Sequence, residues 1–428
     1  MELLSPVGNF DKLRIALTYG ADAVYFGGKG ASLRASTAEF AIEDLSPAIE
    51  YVHSQNKKAY ITVNIFPHNN DLGYLKEYIQ EVAPANPDGF ILSDLGVFSL
   101  CQKYAPNVPI HISTQANNVN FESATKWHEM GAQRIILARE LTLDEIKEYR
   151  ENTPPTLELE LFIHGAMCMG YSGRCLVSNY LTGRDANCGS CAQPCRWEYK
   201  VIHNSSSIIN HSSLTLTNNN TPIEIEETPN GTFFLNSKDM CLIQHIGQLA
   251  KIGIDSIKIE GRNKSEYYVA ATTKAYRGAI DDYNVGNPFN EELLAELEKV
   301  SHRPYIYNFG ELSQVYGSSS YIRSKEVVAI VTSHTTKKKK LALANFNNTY
   351  SLFTIHYYLI FCFQRGKIIS GEPLEILTPT GFNIRLEKAE IFDPITLEPL
   401  DSTPHPEMPF YLKSPVPIPV DSFIRKQI

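Results

Sequence analysis

Five of the eight cysteines in this chain fall between positions 168 and 195: Cys168, Cys175, Cys188, Cys191 and Cys195. Thiolates are soft ligands that favour zinc or iron–sulfur centres. Cys188 and Cys191 form one CxxC knuckle, where a zinc ribbon uses two. The wider pair Cys168 and Cys175, with Cys241 set apart in LNSKDMCLIQHI, better suits a [4Fe–4S] cluster folded into a larger domain. On spacing alone, zinc and ordinary thiols stay open. Cys101, among apolar helical neighbours, and Cys362, in an aromatic run, read as core residues.

Other residues could do chemistry beside the thiols. His164 precedes them and is either an acid or base, or a strand end with a satisfied hydrogen bond. Lys258 and Glu260 in SIKIEGRNKSEYYVA alternate onto one side of a strand. Glu260 with Arg262 is either an anion site or a structural ion pair. Arg174, Arg184, Arg196 and Arg262 are candidates for carboxylate or phosphate contacts, because guanidinium pairs bidentately with both. Trp197 and Tyr199 can stack on a flipped base or fill a hairpin core. GYSGR is not a GxSxG nucleophile elbow, and HExxH is missing.

The elements that must hold these residues alternate regularly. Strands are expected at Glu2–Ser5, Ala23–Phe26, Ala59–Asn64, Phe90–Ser93, Ile110–Thr114, Arg134–Ala138, Leu157–Ile163 and Ser256–Glu260. Helices are expected at Asp11–Tyr19, Ile42–Ser54, Leu72–Ala83, Leu95–Tyr104, Glu122–Met130, Leu143–Arg150, Met240–Lys251 and Ser265–Tyr283. Eight such pairs predict an α/β fold, a (β/α)8 TIM-like barrel over residues 1–283. A doubly wound sheet competes, but no GxGxxG follows the first strand. Polar residues at or past the strand ends (Asn64, Asp94, Gln115, Arg139, Glu140, His164, Glu260, Arg262) would converge on one face. Residues 165–239 then form a Cys-rich insertion after strand seven, with a hairpin pair at Arg196–His203 and Gly231–Leu235 and an exposed Ser/Asn/Thr-rich loop between. Residues 284–324 read as a connector, and 325–428 as a small all-β domain. Lys337–Lys340 is either a solvated loop or a phosphate-contacting patch.

Bulk properties narrow the class. With 43% hydrophobic and 20% charged residues the chain is that of an ordinary globular protein. A net charge of −8 confines any nucleic-acid contact to a local basic patch. No signal peptide or membrane span is legible, which predicts a cytoplasmic location.

The motif ELFIHGAMC followed by GRCLVS resembles the signature of the collagenase-like peptidase family, peptidase family U32. The opening ELLSPVGNFDKLRIALTYGADAVYFGG, the run GRDAN, CAQPCRWEY and IKIEGRNKSEYYVA are similar to it too. The resemblance covers residues 1–305 and, less closely, the tail around 335–370. The family name implies a protease, yet the chain offers no activated serine, metalloprotease pair or obvious dyad. Better-understood members are iron–sulfur proteins acting in hydroxylation. The single-chain form with CRWEY and a β-rich tail is most similar to the branch that converts the wobble uridine of tRNA to 5-hydroxyuridine in a prephenate-dependent reaction. That resemblance implies a [4Fe–4S] cluster on Cys168, Cys175, Cys191 and Cys241. Cys195 rivals Cys191, and Cys188 departs from the family pattern. Read from the residues themselves, His164, Glu260 and Arg262 are the catalytic candidates, and Arg174, Arg184, Asn64 and Gln115 the candidates for ligand contacts. The resemblance further implies tRNA and prephenate as partners, and a second subunit or a homo-oligomer. A peptidase of unknown mechanism and a non-catalytic zinc scaffold remain the rivals.

Overall fold

The computed structural model describes residues 1–32, 40–168, 170, 175–182, 184, 191–197, 216–218, 221–223, 236–311, 313, 321–332, 337–342 and 354–428. Side chains are described for these except at 196, 216–218, 221–223, 337–342 and 354–356.

Short runs of apolar and β-branched residues form the parallel strands β1 (Glu2–Pro6), β2 (Ala23–Phe26), β3 (Lys58–Thr62), β4 (Gly89–Leu92), β5 (Ile110–Ile112), β6 (Ala132–Ile136) and β7 (Glu158–Ala166). A short hairpin, β8 (Leu216–Asn218) with β9 (Thr221–Ile223), and a three-residue strand, β10 (Asp239–Cys241), precede β11 (Ser256–Ile259). Strands β1 to β7 pair in order, and β11 pairs in parallel with both β1 and β7. The barrel is therefore closed by eight strands. Its helices are α1 (Phe10–Thr18), α2 (Ile42–Ser54), α3 (Leu72–Val82), α4 (Leu95–Tyr104), α5 (Phe121–Glu129) and α6 (Leu143–Glu151), then, after α7 (Val177–Thr182) in the insertion, α8 (Ile246–Ile252) and α9 (Glu266–Asn284). Side-chain caps start several of them: Asn9 accepts from the Lys12 amide, Asp94 from Val97, and Thr142 and Glu145 form a capping box. Asp94 thus serves as a helix cap.

The barrel interior is only partly aliphatic. Leu4, Ala23, Tyr25, Tyr60, Ile91 and Ile136 pack together, with Phe162 against them. Toward the N-terminal ends of the strands the filling is ionic. Arg134 donates to Glu2 (2.7 Å), Glu158 (2.8 Å) and Glu160 (2.9 Å), and Lys258 donates to Glu160 at 2.9 Å. Glu160 is fully buried, so its carboxylate depends on these two cations to offset lost hydration.

Three regions depart from the sequence expectation. The helix expected from Met240 begins later: residues 239–241 are a strand, followed by a turn and then α8. Asp239–Cys241 can extend because β7 runs past the barrel rim and offers it a free edge. The stretch 284–324 contains α10 (Glu291–Leu297) and β12 (Tyr305–Ile306), and β12 pairs in parallel with β10. Among the described residues of the insertion, β8 and β9 pair only with each other. The expected hairpin pair Arg196–His203 and Gly231–Leu235 lies almost wholly outside the described residues.

The chain divides into two compact units, Met1–Ala295 with Ser301–Ile322, and Glu296–Val300 with Arg323–Ile428. The second is an antiparallel β unit of β13 (Lys325–Val331), β14 (Lys337–Ala342), β15 (Thr354–Gln364), β16 (Leu374–Leu377), β17 (Ile384–Leu386), β18 (Ile391–Phe392), β19 (Pro399–Leu400), β20 (Pro409–Ser414) and β21 (Phe423–Gln427). Val328, Ile360, Cys362, Ile376, Phe410 and Ile424 belong to its core. Inside it, the fully buried Arg425 pairs with Glu296 and Glu375. The lysine run Lys337–Lys340 is strand, laddered to β15, and not a loop.

Candidate active site

Strand β7 organises the site. Its register with β11 shifts between Lys258 and Ile259, so Ile163 is an extra residue in the ladder. The Ile163 carbonyl is thereby released from the ladder and accepts from the Leu242 amide (2.9 Å) and the Tyr276 hydroxyl (2.9 Å). Beyond this bulge β7 turns away from the barrel and pairs antiparallel with β10. Cys241 comes opposite His164, and Asp239 opposite Ala166. Gly165, between them, has φ of +117°, and a Cβ there would stand 2.8 Å from the Glu260 carbonyl oxygen. Only glycine admits that conformation and that approach together.

His164 lies in an aromatic enclosure of Tyr268, Tyr276 and Tyr305 and is 1% exposed. Burial, aided by the positive potential of His302 and Lys264, lowers its pKa to about 3. It is therefore neutral at physiological pH. Its Nδ1 stands 3.3 Å from the Tyr276 hydroxyl, which also lies 4.0 Å from Cys241 Sγ. Burial, then the neighbouring Cys241 and Tyr305, hold Tyr276 well above the ordinary tyrosine value. This group shapes and insulates the edge of the site rather than exchanging protons with solvent.

The rim carries the other candidates. Arg262 is 4% exposed and donates to Ser32 Oγ (2.7 Å) and Thr62 Oγ1 (3.1 Å), beside the Tyr25 ring. Thr62 and Ser32 pack so tightly around Gly27 that a Cβ there would fall 2.2 Å from Thr62 Oγ1. Lys258 lies below, 4.3 Å from the Tyr25 ring centre. Arg139 donates to the Ala166 carbonyl at 2.9 Å, bracing the strand that leads to Cys168. Asn64 and Gln115 are buried at their strand ends, the latter bonded to Ser113. Glu260 is half-buried, its carbonyl accepting from the Tyr268 hydroxyl. The carbonyl of Arg184 accepts from Ser178. Trp197 is 41% exposed. Arg174, Cys188 and Tyr199 lie outside the described residues, as does the Arg196 side chain.

Cys168 is exposed, Cys175, Cys191 and Cys195 are half-buried, and Cys101, Cys241 and Cys362 are buried. Burial pushes the Cys101 thiol up to about 12 and Cys362 higher still, so both are inert. Among the described residues, no three His, Cys, Asp or Glu side chains are gathered for a metal ion. The donor chemistry of the insertion nonetheless suits a thiophilic centre: several soft, partly accessible thiols and one buried at its inner edge. Not legible in the sequence were Asp239 and Arg303, which are bonded to each other, and Ser32 and Thr62, which hold Arg262. Thr62 ends an apolar strand, Asp239 opens a strand of three residues and Ser32 lies in a bend, so none carries a periodic signal and only the folded chain reveals them.

A closed (β/α)8 barrel with a thiol-rich insertion at the carboxyl ends of its strands, joined to an antiparallel β unit, defines the class. The chain belongs to Peptidase family U32, whose model matches residues 8–315, and the family's C-terminal domain matches residues 354–425. It is 38% identical over 421 residues to tRNA hydroxylation protein P of Haemophilus influenzae, covering 90% of this chain and 88% of that protein. It is 37% identical over 414 residues to tRNA hydroxylation protein P1 of Bacillus subtilis, covering 95% and 90%. It is also 30% identical over 339 residues to the collagenase of Porphyromonas gingivalis, covering 74% and 77%.

Proposed function

We propose that this chain is a tRNA-modifying enzyme that hydroxylates the wobble uridine to 5-hydroxyuridine in a prephenate-dependent reaction. The observation that carries the reading is similarity, over 90% and 95% of this chain, to two proteins named for tRNA hydroxylation. A [4Fe–4S] cluster on Cys168, Cys175, Cys191 and Cys241 would supply electron transfer beside the barrel mouth. The chain's own residues provide the rest. Arg262, braced by Ser32 and Thr62 and shielded from water, offers a pre-oriented guanidinium to a carboxylate such as those of prephenate. Glu260, at the same strand end, is in this reading the proton acceptor. Neutral, enclosed His164 fixes the edge of the site. Asn64, Gln115, Arg174 and Arg184 complete the ligand contacts. Trp197 presents an exposed face on which an unpaired base can stack. The lysines of β14 supply phosphate contacts for tRNA. The described residues contain no helix long and apolar enough to cross a membrane, which accords with work on tRNA in the cytoplasm.

Anaerobic purification tests the cofactor. The protein should be brown and contain iron and sulfide, with absorption that bleaches on reduction. A colourless protein with stoichiometric zinc would sink the cluster. Peptide cleavage that persists in a Cys168→Ser protein would favour the peptidase that the Porphyromonas relative's name suggests.

A further inference from the structure

The ion pair of Arg303 and Asp239 is bonded into the segments that carry two of the cysteines. Both residues are buried, at 1% and 2% exposure. Arg303 Nε donates to Asp239 Oδ1 at 2.8 Å, and the Arg303 amide donates to Oδ2 at 3.0 Å. The same guanidinium donates to Asn236 Oδ1 (3.0 Å) and to the Met167 carbonyl (3.3 Å). Ser237 Oγ donates to that carbonyl as well, at 2.6 Å. Met167 immediately precedes Cys168, and Asp239 opens the strand that closes with Cys241. One planar cation therefore ties together two cysteine-bearing segments that are more than seventy residues apart in sequence.

We infer that Arg303 is a positioning residue that, through Asp239 and the Met167 carbonyl, sets the separation of the Cys168 and Cys241 segments for a thiophilic metal centre. The inference rests on the proposed thiolate site. A buried ion pair is weak evidence of stabilisation, since apolar residues can replace one without loss. What apolar residues cannot replace is a forked donor that spans a carboxylate, an amide oxygen and a main-chain carbonyl. Groups that orient metal ligands typically change metal affinity by about 10–100-fold when removed.

The test uses cluster-free, full-length protein titrated with cadmium ion as a thiophilic probe. Two variants carry it. Arg303→Lys keeps the charge beside Asp239 but loses the fork. Arg303→Met combined with Asp239→Leu removes both charges and leaves none buried. Each variant that unfolds cooperatively should bind cadmium at least about tenfold more weakly than wild type. Affinity within tenfold of wild type in a folded variant would overturn the assignment, since a purely structural pair predicts just that. A Cys168→Ser control separates the two readings. If it binds cadmium as wild type does, the thiolate site itself fails. If it loses binding while the Arg303 variants keep it, only the positioning role fails.

Discussion

Thiol exposure divides the cysteines by role. Cys168 is exposed at the strand end, whereas Cys101, Cys241 and Cys362 are buried. Alkylation of the cluster-free native protein, read by peptide mass spectrometry, should modify Cys168 first. Cys101 and Cys362 should react only on unfolding, because a buried protonated thiol is a poor nucleophile. Equal rates for Cys101 and Cys168 would contradict the assignment. Glu160 presents a different residue-scale dependence. Its carboxylate holds Arg134 and Lys258 at 2.9 Å each, all three nearly inaccessible. Glu160→Gln should lower unfolding stability by about 3–5 kcal/mol, since buried Lys258 loses its carboxylate and buried Arg134 loses one of the three that face it. A loss below about 1 kcal/mol in urea titration would show that the network is dispensable.

At the scale of elements, β7 does two jobs with one continuous strand. It closes the barrel against β11 and, past the Ile163 bulge, carries the insertion against β10. Gly165 makes that passage possible. Gly165→Ala should destabilise by about 1–3 kcal/mol, from its left-handed backbone and its collision with the Glu260 carbonyl. Gly73→Ala, in α3 with open space around it, should be neutral or stabilising by about 0.4–1 kcal/mol. Chemical unfolding of the two variants checks both signs. The eight barrel strands were legible in the sequence because each is a compact apolar run between helical periods. Asp239–Cys241 and Tyr305–Ile306 were not, because a strand of two or three residues has no period and is defined by a partner far along the chain. The same holds for charge inside the barrel. Arg134 and Glu160 look like ordinary alternating polar positions until closure turns them toward each other. The cysteines stand out in the sequence by type and density, whereas the ion pair of Arg303 and Asp239 has no such signal.

For the molecule as a whole, buried charge couples stability to pH. Burial, then the cations Arg134, Lys258 and Lys58, hold His111 neutral well below the ordinary histidine value of 6.5. The unfolded chain therefore takes up a proton near pH 6.5 that the native barrel refuses. Stability falls as pH drops below that value, and the contribution is fully present above it. Melting temperatures measured downward from pH 7 should fall less steeply for His111→Asn than for wild type, and parallel curves would exclude the effect. Catalysis is the larger claim, and it joins the thiol-rich insertion, the rim arginine and the similarity to tRNA hydroxylation proteins into one activity. Nucleoside mass spectrometry of tRNA from a strain lacking this protein tests it most directly. The wild-type chain should restore 5-hydroxyuridine and the Cys168→Ser chain should not; 5-hydroxyuridine at the same level in all three strains would contradict it.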